Sequence, residues 1–190
     1  MAKKGYVFSE YEIDELGFKF AGADEYVASK CIGSVEEEME TISVVKKCRG
    51  RVSKKRTRGT GSGTLKVSMH VPWDVYVNMY GMKLDSLIEG VYGYGSNSVH
   101  PTFSITEHVV NEDGEEKLKA YPVCTMDGGV ARKVENGSEE VAEVELSISV
   151  MPDEYGQGMY EALKEDLSVG TTANDWMTKF TPAMVQTVAA

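Results

Sequence analysis

From Thr64 to Val71 the chain alternates without a break. Leu65, Val67, Met69 and Val71 fall on one side, Thr64, Lys66, Ser68 and His70 on the other, which is the period of a strand with one face in a core. Val141 to Val150 repeats the pattern, with Val144, Leu146, Ile148 and Val150 opposed by Glu143, Glu145, Ser147 and Ser149. Val35 to Val45 alternates only in part, but its β-branched end, Ile42 to Val45, predicts a third strand. A fourth begins at Phe103, Ile105 and Val109, and the turn-forming run Asn111-Glu112-Asp113-Gly114 joins it to Lys117–Met126 as a hairpin closed by Asp127-Gly128-Gly129.

Two stretches carry helical spacing. Pro72 stops the first strand, and Trp73, Tyr76, Val77 and Tyr80 then recur at helical intervals before Gly81, a suitable residue just past a helix end. Met159–Leu167 is amphipathic and rich in helix formers, so it predicts a second helix, and the last twenty residues read as an arm. Gly90–Asn97 reads as a connection. These elements predict a mostly β (β+α) chain: a β-sandwich or partly open barrel with a short flanking helix, residues 1–152, followed by a helical or arm extension, residues 153–190.

Composition changes this picture little. At 190 residues, 42% hydrophobic and 26% charged, the chain has globular proportions. No apolar run reaches the roughly 18 residues of a membrane span, and Met1-Ala2-Lys3-Lys4-Gly5 leads into polar sequence rather than a secretory core, predicting synthesis in the cytoplasm. Cys31, Cys48 and Cys124 form no paired motif, so free thiols are expected, with Cys31 and Cys124 as small apolar filler.

Charge changes it more. Lys46, Lys47, Arg49, Arg51, Lys54, Lys55, Arg56 and Arg58 lie within thirteen residues that contain no acid, in a chain of net charge −10. Setting these eight aside leaves 12 basic against 30 acidic residues, a balance of −18 for the remainder. The run Lys46–Gly63 is polar and ends Gly59-Thr60-Gly61-Ser62-Gly63, predicting a long loop or hairpin tip with a flexible hinge. Eight cations could bind nucleic acid without sequence preference, but no aromatic lies among them to stack a base. Docking onto an acidic partner, including another copy of the chain, is the preferred reading. Glu36, Glu38 and Glu40 share one strand face, which is read as solvated.

The sequence offers little to catalysis. His70, His100 and His108 are too scattered for a metal site, no cysteine sits in a nucleophile motif, and the Gly59–Gly63 run lacks the lysine and hydroxyl residue of a phosphate loop. Glu107 and His108 are neighbours on a strand and so face opposite ways, which predicts exposed polar residues rather than an acid–base pair. No catalytic residue, metal or cofactor is expected.

One order of elements is specific: strand, long polar loop ending in Gly-x-Gly, strand, proline, short aromatic helix, glycine. Gly33–Glu36 through Gly63-Thr64-Leu65-Lys66-Val67-Ser68-Met69-His70-Val71-Pro72-Trp73 carries it, with Pro101–Ile105, Asn111–Lys117, Lys119–Cys124 and Val144–Ile148 following. In this the chain resembles the major tail (tail tube) proteins of long-tailed bacteriophages of the non-contractile, siphovirus-like kind. The resemblance implies a structural virion protein, made in the host cytoplasm, whose subunits close into hexameric rings by joining strands into one barrel. The rings stack into a tube through which DNA is ejected without specific binding. It implies tape-measure, tail-terminator and baseplate or distal tail proteins as partners. It also implies that the eight cations of the 46–63 loop meet a neighbouring subunit or ring, while Glu36, Glu38 and Glu40 line the lumen. The basic loop is unusually cationic for that family, and the segment after Pro152 is longer than the bare fold needs.

Overall fold

The computed structural model describes residues 6–137, 139–167 and 172–187. The expectations that fall on residues 1–5, and the part of the expected arm at 168–171 and 188–190, lie outside the described residues. Eight strands make one antiparallel, open sheet: β1 (Glu12–Phe20), β2 (Val27–Ser29), β3 (Ile32–Cys48), β4 (Arg51–Met69), β5 (Phe103–Val110), β6 (Glu116–Met126), β7 (Val144–Met151) and β8 (Tyr160–Leu163). They run in the order β2-β1-β5-β6-β7-β4-β3, and β8 pairs with β6. The split comes at β6: Val123–Met126 pairs with β7, whereas Lys117–Ala120 pairs with β8.

That split lets the sheet fold over on itself. Leu16 and Phe18 of β1, Leu65, Val67 and Met69 of β4, Ile105 of β5, Tyr121 of β6 and Leu146, Ile148 and Val150 of β7 share one core. Helix α1 (Trp73–Met79) closes it with Val75, Tyr76, Val77 and Met79, and ends at Gly81, whose φ of +58° a side chain would resist. The spacing foretold this helix, but Trp73 is 54% exposed; its ring stacks on Tyr76 and meets Tyr92 edge-on at 5.8 Å.

Two departures from the sequence reading concern the C-terminal third. Tyr160–Leu163, expected as part of a helix, is strand β8, because the edge of β6 that β7 does not pair offers it a ladder from Lys117 to Ala120. Helix α2 (Ala173–Lys179), capped by the Thr172 hydroxyl accepting from the Asp175 amide, follows instead. Trp176, Met177 and Phe180 pack with Leu118 and Ala120 on the face of β6 turned away from the main core, as a second core. No helix among the described residues is long and apolar enough to cross a membrane.

Strands β3 and β4 run far beyond the body. β4 is paired with β7 only from Gly63 to Met69, while its pairing with β3 continues to Cys48↔Arg51. Every residue from Glu40 to Thr60 is exposed. Nine residues of β3 and ten of β4 make a free two-stranded ribbon about 30 Å long. The long loop expected over 46–63 is therefore regular: Lys46–Cys48 ends β3 and Arg51–Gly63 lies in β4. The turn is only Arg49-Gly50, with φ of +49° and +75°, the two-residue geometry whose twist matches that of the strands.

The expected hinge at Gly59–Gly63 is a packed crossing. Gly61 sits at φ +81°, and a Cβ there would lie 2.8 Å from the Gly156 carbonyl oxygen. At Gly63 it would meet Met39 Sδ at 2.6 Å and the Glu38 carbonyl oxygen at 2.7 Å. The glycines are where the ribbon passes close under the 153–158 turn, so they fix its root rather than loosen it.

Candidate functional site

In an antiparallel ladder, residues directly opposite point the same way. The register Ile42↔Arg58, Val44↔Arg56 and Lys46↔Lys54 therefore puts Ile42, Val44, Lys46, Lys54, Arg56 and Arg58 on one face of the ribbon. The other face carries Ser43 and Thr57, whose hydroxyls meet at 2.7 Å, with Val45, Lys47 and Lys55. Arg49 and Arg51 sit at the tip. Among the described residues, none of the eight cations has a carboxylate partner; the ion pairs lie elsewhere, as at Lys66–Glu36, Lys30–Glu15 and Lys117–Glu10. Ile42, Val44, Val45 and Val52 are exposed between them. An isolated ribbon of this length gains nothing from burial, and its alternation of cations with β-branched residues has the character of a surface waiting for a partner.

The acids expected on the lumen behave as the pattern foretold in one respect. Glu36 and Glu38 are exposed on one face of β3, Glu40 is exposed at the register shift between Met39 and Thr41, and Glu36 reaches Lys66 at 3.5 Å. The opposite face carries Val35, Glu37 and Met39, half-buried, and there Glu37 enters a cluster that the sequence reading missed.

Glu107 was expected to be exposed; it is 2% exposed. β5 is covered on both sides, so Thr106 points toward α2, donating to the Met177 carbonyl at 3.2 Å, while Glu107 points toward β3. Opposite it on β6 stands Lys119, whose ammonium lies 2.9 Å from Glu10 and 3.4 Å from Glu37. Tyr121 donates its hydroxyl to Glu37 at 2.6 Å. The same phenol oxygen lies 3.2 Å from Glu107, and since one hydroxyl proton cannot serve both carboxylates, a protonated Glu107 completes the set.

Burial raises the Glu107 carboxyl to about 7, against the opposing pull of Lys119. Burial also depresses the Lys119 ammonium, but Glu107, Glu10 and Glu37 outweigh it and hold the lysine above its usual value. His108 faces the other way and sits between Asp14, at 3.1 Å, and Glu116, at 2.8 Å, so it is no partner of Glu107. The signal in the sequence was the cross-strand placement of Glu107 and Lys119 about a four-residue turn, two opposite charges in a run otherwise apolar enough to be internal.

This cluster makes stability depend on pH. Between the ordinary glutamate value of 4.5 and about 7, the folded chain holds a proton that the unfolded chain has released. Stability therefore falls as pH rises through that window and is level above it. The contribution lost is up to about 3 kcal/mol, because each pH step across the window is worth about 1.4 kcal/mol. Chemical denaturation at pH 5 and pH 8 is expected to show this fall in the wild type and not in Glu107→Gln; an equal fall in both would reject the assignment.

Of the cysteines, Cys124 is buried and burial pushes its thiol up, whereas Cys31, expected as filler, is exposed; all three are free. Among the described residues no group of three or more His, Cys, Asp or Glu is arranged to hold a metal ion.

Comparison with known proteins gives a distant likeness in structure. No known family profile matches the chain, and no curated protein matches it in sequence. Among solved structures, the tube-terminating cap of the anti-feeding prophage is similar at 13% identity and a TM-score of 0.42, over 86% of this chain and 99% of that one.

Proposed function

We propose that this is a structural protein of a phage-type tail, which assembles with copies of itself into stacked rings forming the tail tube, the conduit for DNA. The observation that carries the reading is the ribbon: about 30 Å of ordered, unburied strand bearing eight cations without a carboxylate partner among the described residues, and four exposed β-branched residues. A second support is the outer edge of β3, unpaired among the described residues, together with the end of β7 from Val144 to Leu146 that β6 leaves uncovered on the other side of β4. Strand edges left open in one subunit find partners when subunits close into a ring, here hexameric as in the tail proteins the sequence resembles. The exposed acids Glu36, Glu38 and Glu40 then face the lumen and repel passing DNA, and the tape-measure, terminator and distal tail proteins are its neighbours in the virion. It needs no catalytic group.

Negative-stain microscopy and sedimentation of the purified protein at rising concentration test the proposal. Rings or tubes are expected, and their loss is expected when residues 41–59 are replaced by a two-residue Asn-Gly turn, with the unfolding midpoint little changed because that segment buries nothing. A wild type that stays a single subunit at high concentration and binds duplex DNA with a steep salt dependence would replace this reading with a nucleic-acid-binding one.

A further inference from the structure

The chain has a second charge segregation, the mirror of the first. From Val134 to Leu163 there are eight acids, Glu135, Glu139, Glu140, Glu143, Glu145, Asp153, Glu154 and Glu161, and no base. The first part of this stretch walls an open groove of about 810 Å³ between residues 131–135 and 140–143 and the ends of β4 and β7. Its floor is Ser68 and its acidic wall is Glu140, Glu143 and Glu145. Two cations also line it, but Lys133 is paired with Glu135 at 2.7 Å, and Arg132 is turned onto the Tyr76 ring, donating to its hydroxyl at 2.9 Å. On the rim stand Val134 and Val141, 87% and 82% exposed.

The position of the groove matters as much as its charge. The ribbon leaves the body where Gly63 pairs with Val150, and the groove lies where Ser68 pairs with Glu145, at the other end of the same ladder. Donor and acceptor thus sit at opposite ends of the antiparallel β4–β7 ladder. A contact between them is heterologous, joining unlike surfaces of two copies, and it repeats in one direction.

Resting on the self-assembly reading above, we propose that this groove is the receptor for the ribbon of the next copy. The ribbon's mixed face enters it, with Lys54, Arg56 and Arg58 opposite Glu140, Glu143 and Glu145, and Ile42 and Val44 against Val134 and Val141. Subunits then stack head to tail along the strand axis. Both sides are desolvated together, apolar on apolar and cation on acid, which gives the contact its direction as well as its strength.

The test uses two full-length variants. The first, Lys54→Glu, Arg56→Glu and Arg58→Glu, has a ribbon whose mixed face is acidic, with Lys46 the one cation left on it, and the native groove. The second, Glu143→Lys and Glu145→Lys, has the native ribbon and a basic groove. Each alone is expected to lose stacked assemblies at least tenfold by sedimentation while keeping the wild-type circular dichroism spectrum and melting profile. An equimolar mixture is expected to regain them, since each variant's ribbon then opposes the other's groove with unlike charge, a rescue that misfolded subunits could not give. If the wild type assembles and the groove variant alone assembles equally well, the receptor assignment is overturned while self-assembly stands. If the mixture fails to assemble although each variant is folded, the pairing is overturned. A wild type that never assembles removes the self-assembly reading and this inference with it.

Discussion

Replacing Trp176 with alanine is expected to cost the fold about 3–5 kcal/mol, the range for emptying a buried tryptophan site. The side chain is 2% exposed and its ring meets Phe180 at 4.7 Å. Its indole N–H donates to the Lys119 carbonyl at 3.1 Å. Without it, Leu118 and Ala120 on β6 lose their cover, and the Lys119 carbonyl loses a partner. Denaturation followed by circular dichroism gives the number. A loss under about 1 kcal/mol would mean that α2 detaches on its own and that the second core is an ornament to the fold. Because α2 packs directly onto β5 and β6 through the Thr106 hydroxyl and the tryptophan, and the Tyr26 hydroxyl, just ahead of β2, donates to the Phe180 carbonyl past the helix end, the cooperative result is the expected one.

The second large effect is at Lys119. Lys119→Met keeps the apolar stem and removes the cation that faces Glu107 and Glu37 inside the fold and that shares Glu10 with Lys117. Breaking a buried charge cluster by removing one member costs about 3–5 kcal/mol, because the remaining charges stay desolvated. The damage is graded. Glu10 and Glu37 have some access to water, but Glu107 has almost none, so most of the cost falls on its ionised form. The loss is therefore expected in full at pH 8 and reduced at pH 5, where Glu107 carries its proton; unfolding measured at both values separates this from a plain packing defect, which would be equal at the two.

The strands that alternate cleanly were readable because one of their faces is core and the other water. Thr64–Met69 and Val144–Val150 meet that condition, and both are strands at those positions. β1 does not: a register shift between Ile13 and Glu15 throws Ile13 out of phase with Leu16, Phe18 and Phe20, and the pattern broke before it could be counted. β8 was read as helix because Met159 to Leu167 holds good helix formers, and the ladder offered by β6 overrode that local preference. In the ribbon neither face is buried, so hydrophobic period carries no information, and the polar run ending in Gly59–Gly63 read as a long loop or hairpin tip although its turn is only Arg49-Gly50.

The same logic governs the site. The eight cations were legible as a cluster from composition, but their division between two faces needed the register. Glu107 was assigned the correct direction relative to His108 and the wrong environment, because sequence shows which residues share a face and not whether a strand is covered on both. Glu143 and Glu145 read as the polar face of a strand; their place in the wall of a groove appears only once β4 and β7 lie side by side.

The ribbon has one more consequence, for the time before any partner arrives. A bare two-stranded element with free edges is the kind of surface on which polypeptides fuse indiscriminately, growing into fibres. Here the cations act as gatekeepers. Two such arms meeting edge to edge repel one another along their whole length, which disfavours fusion of the bare edges.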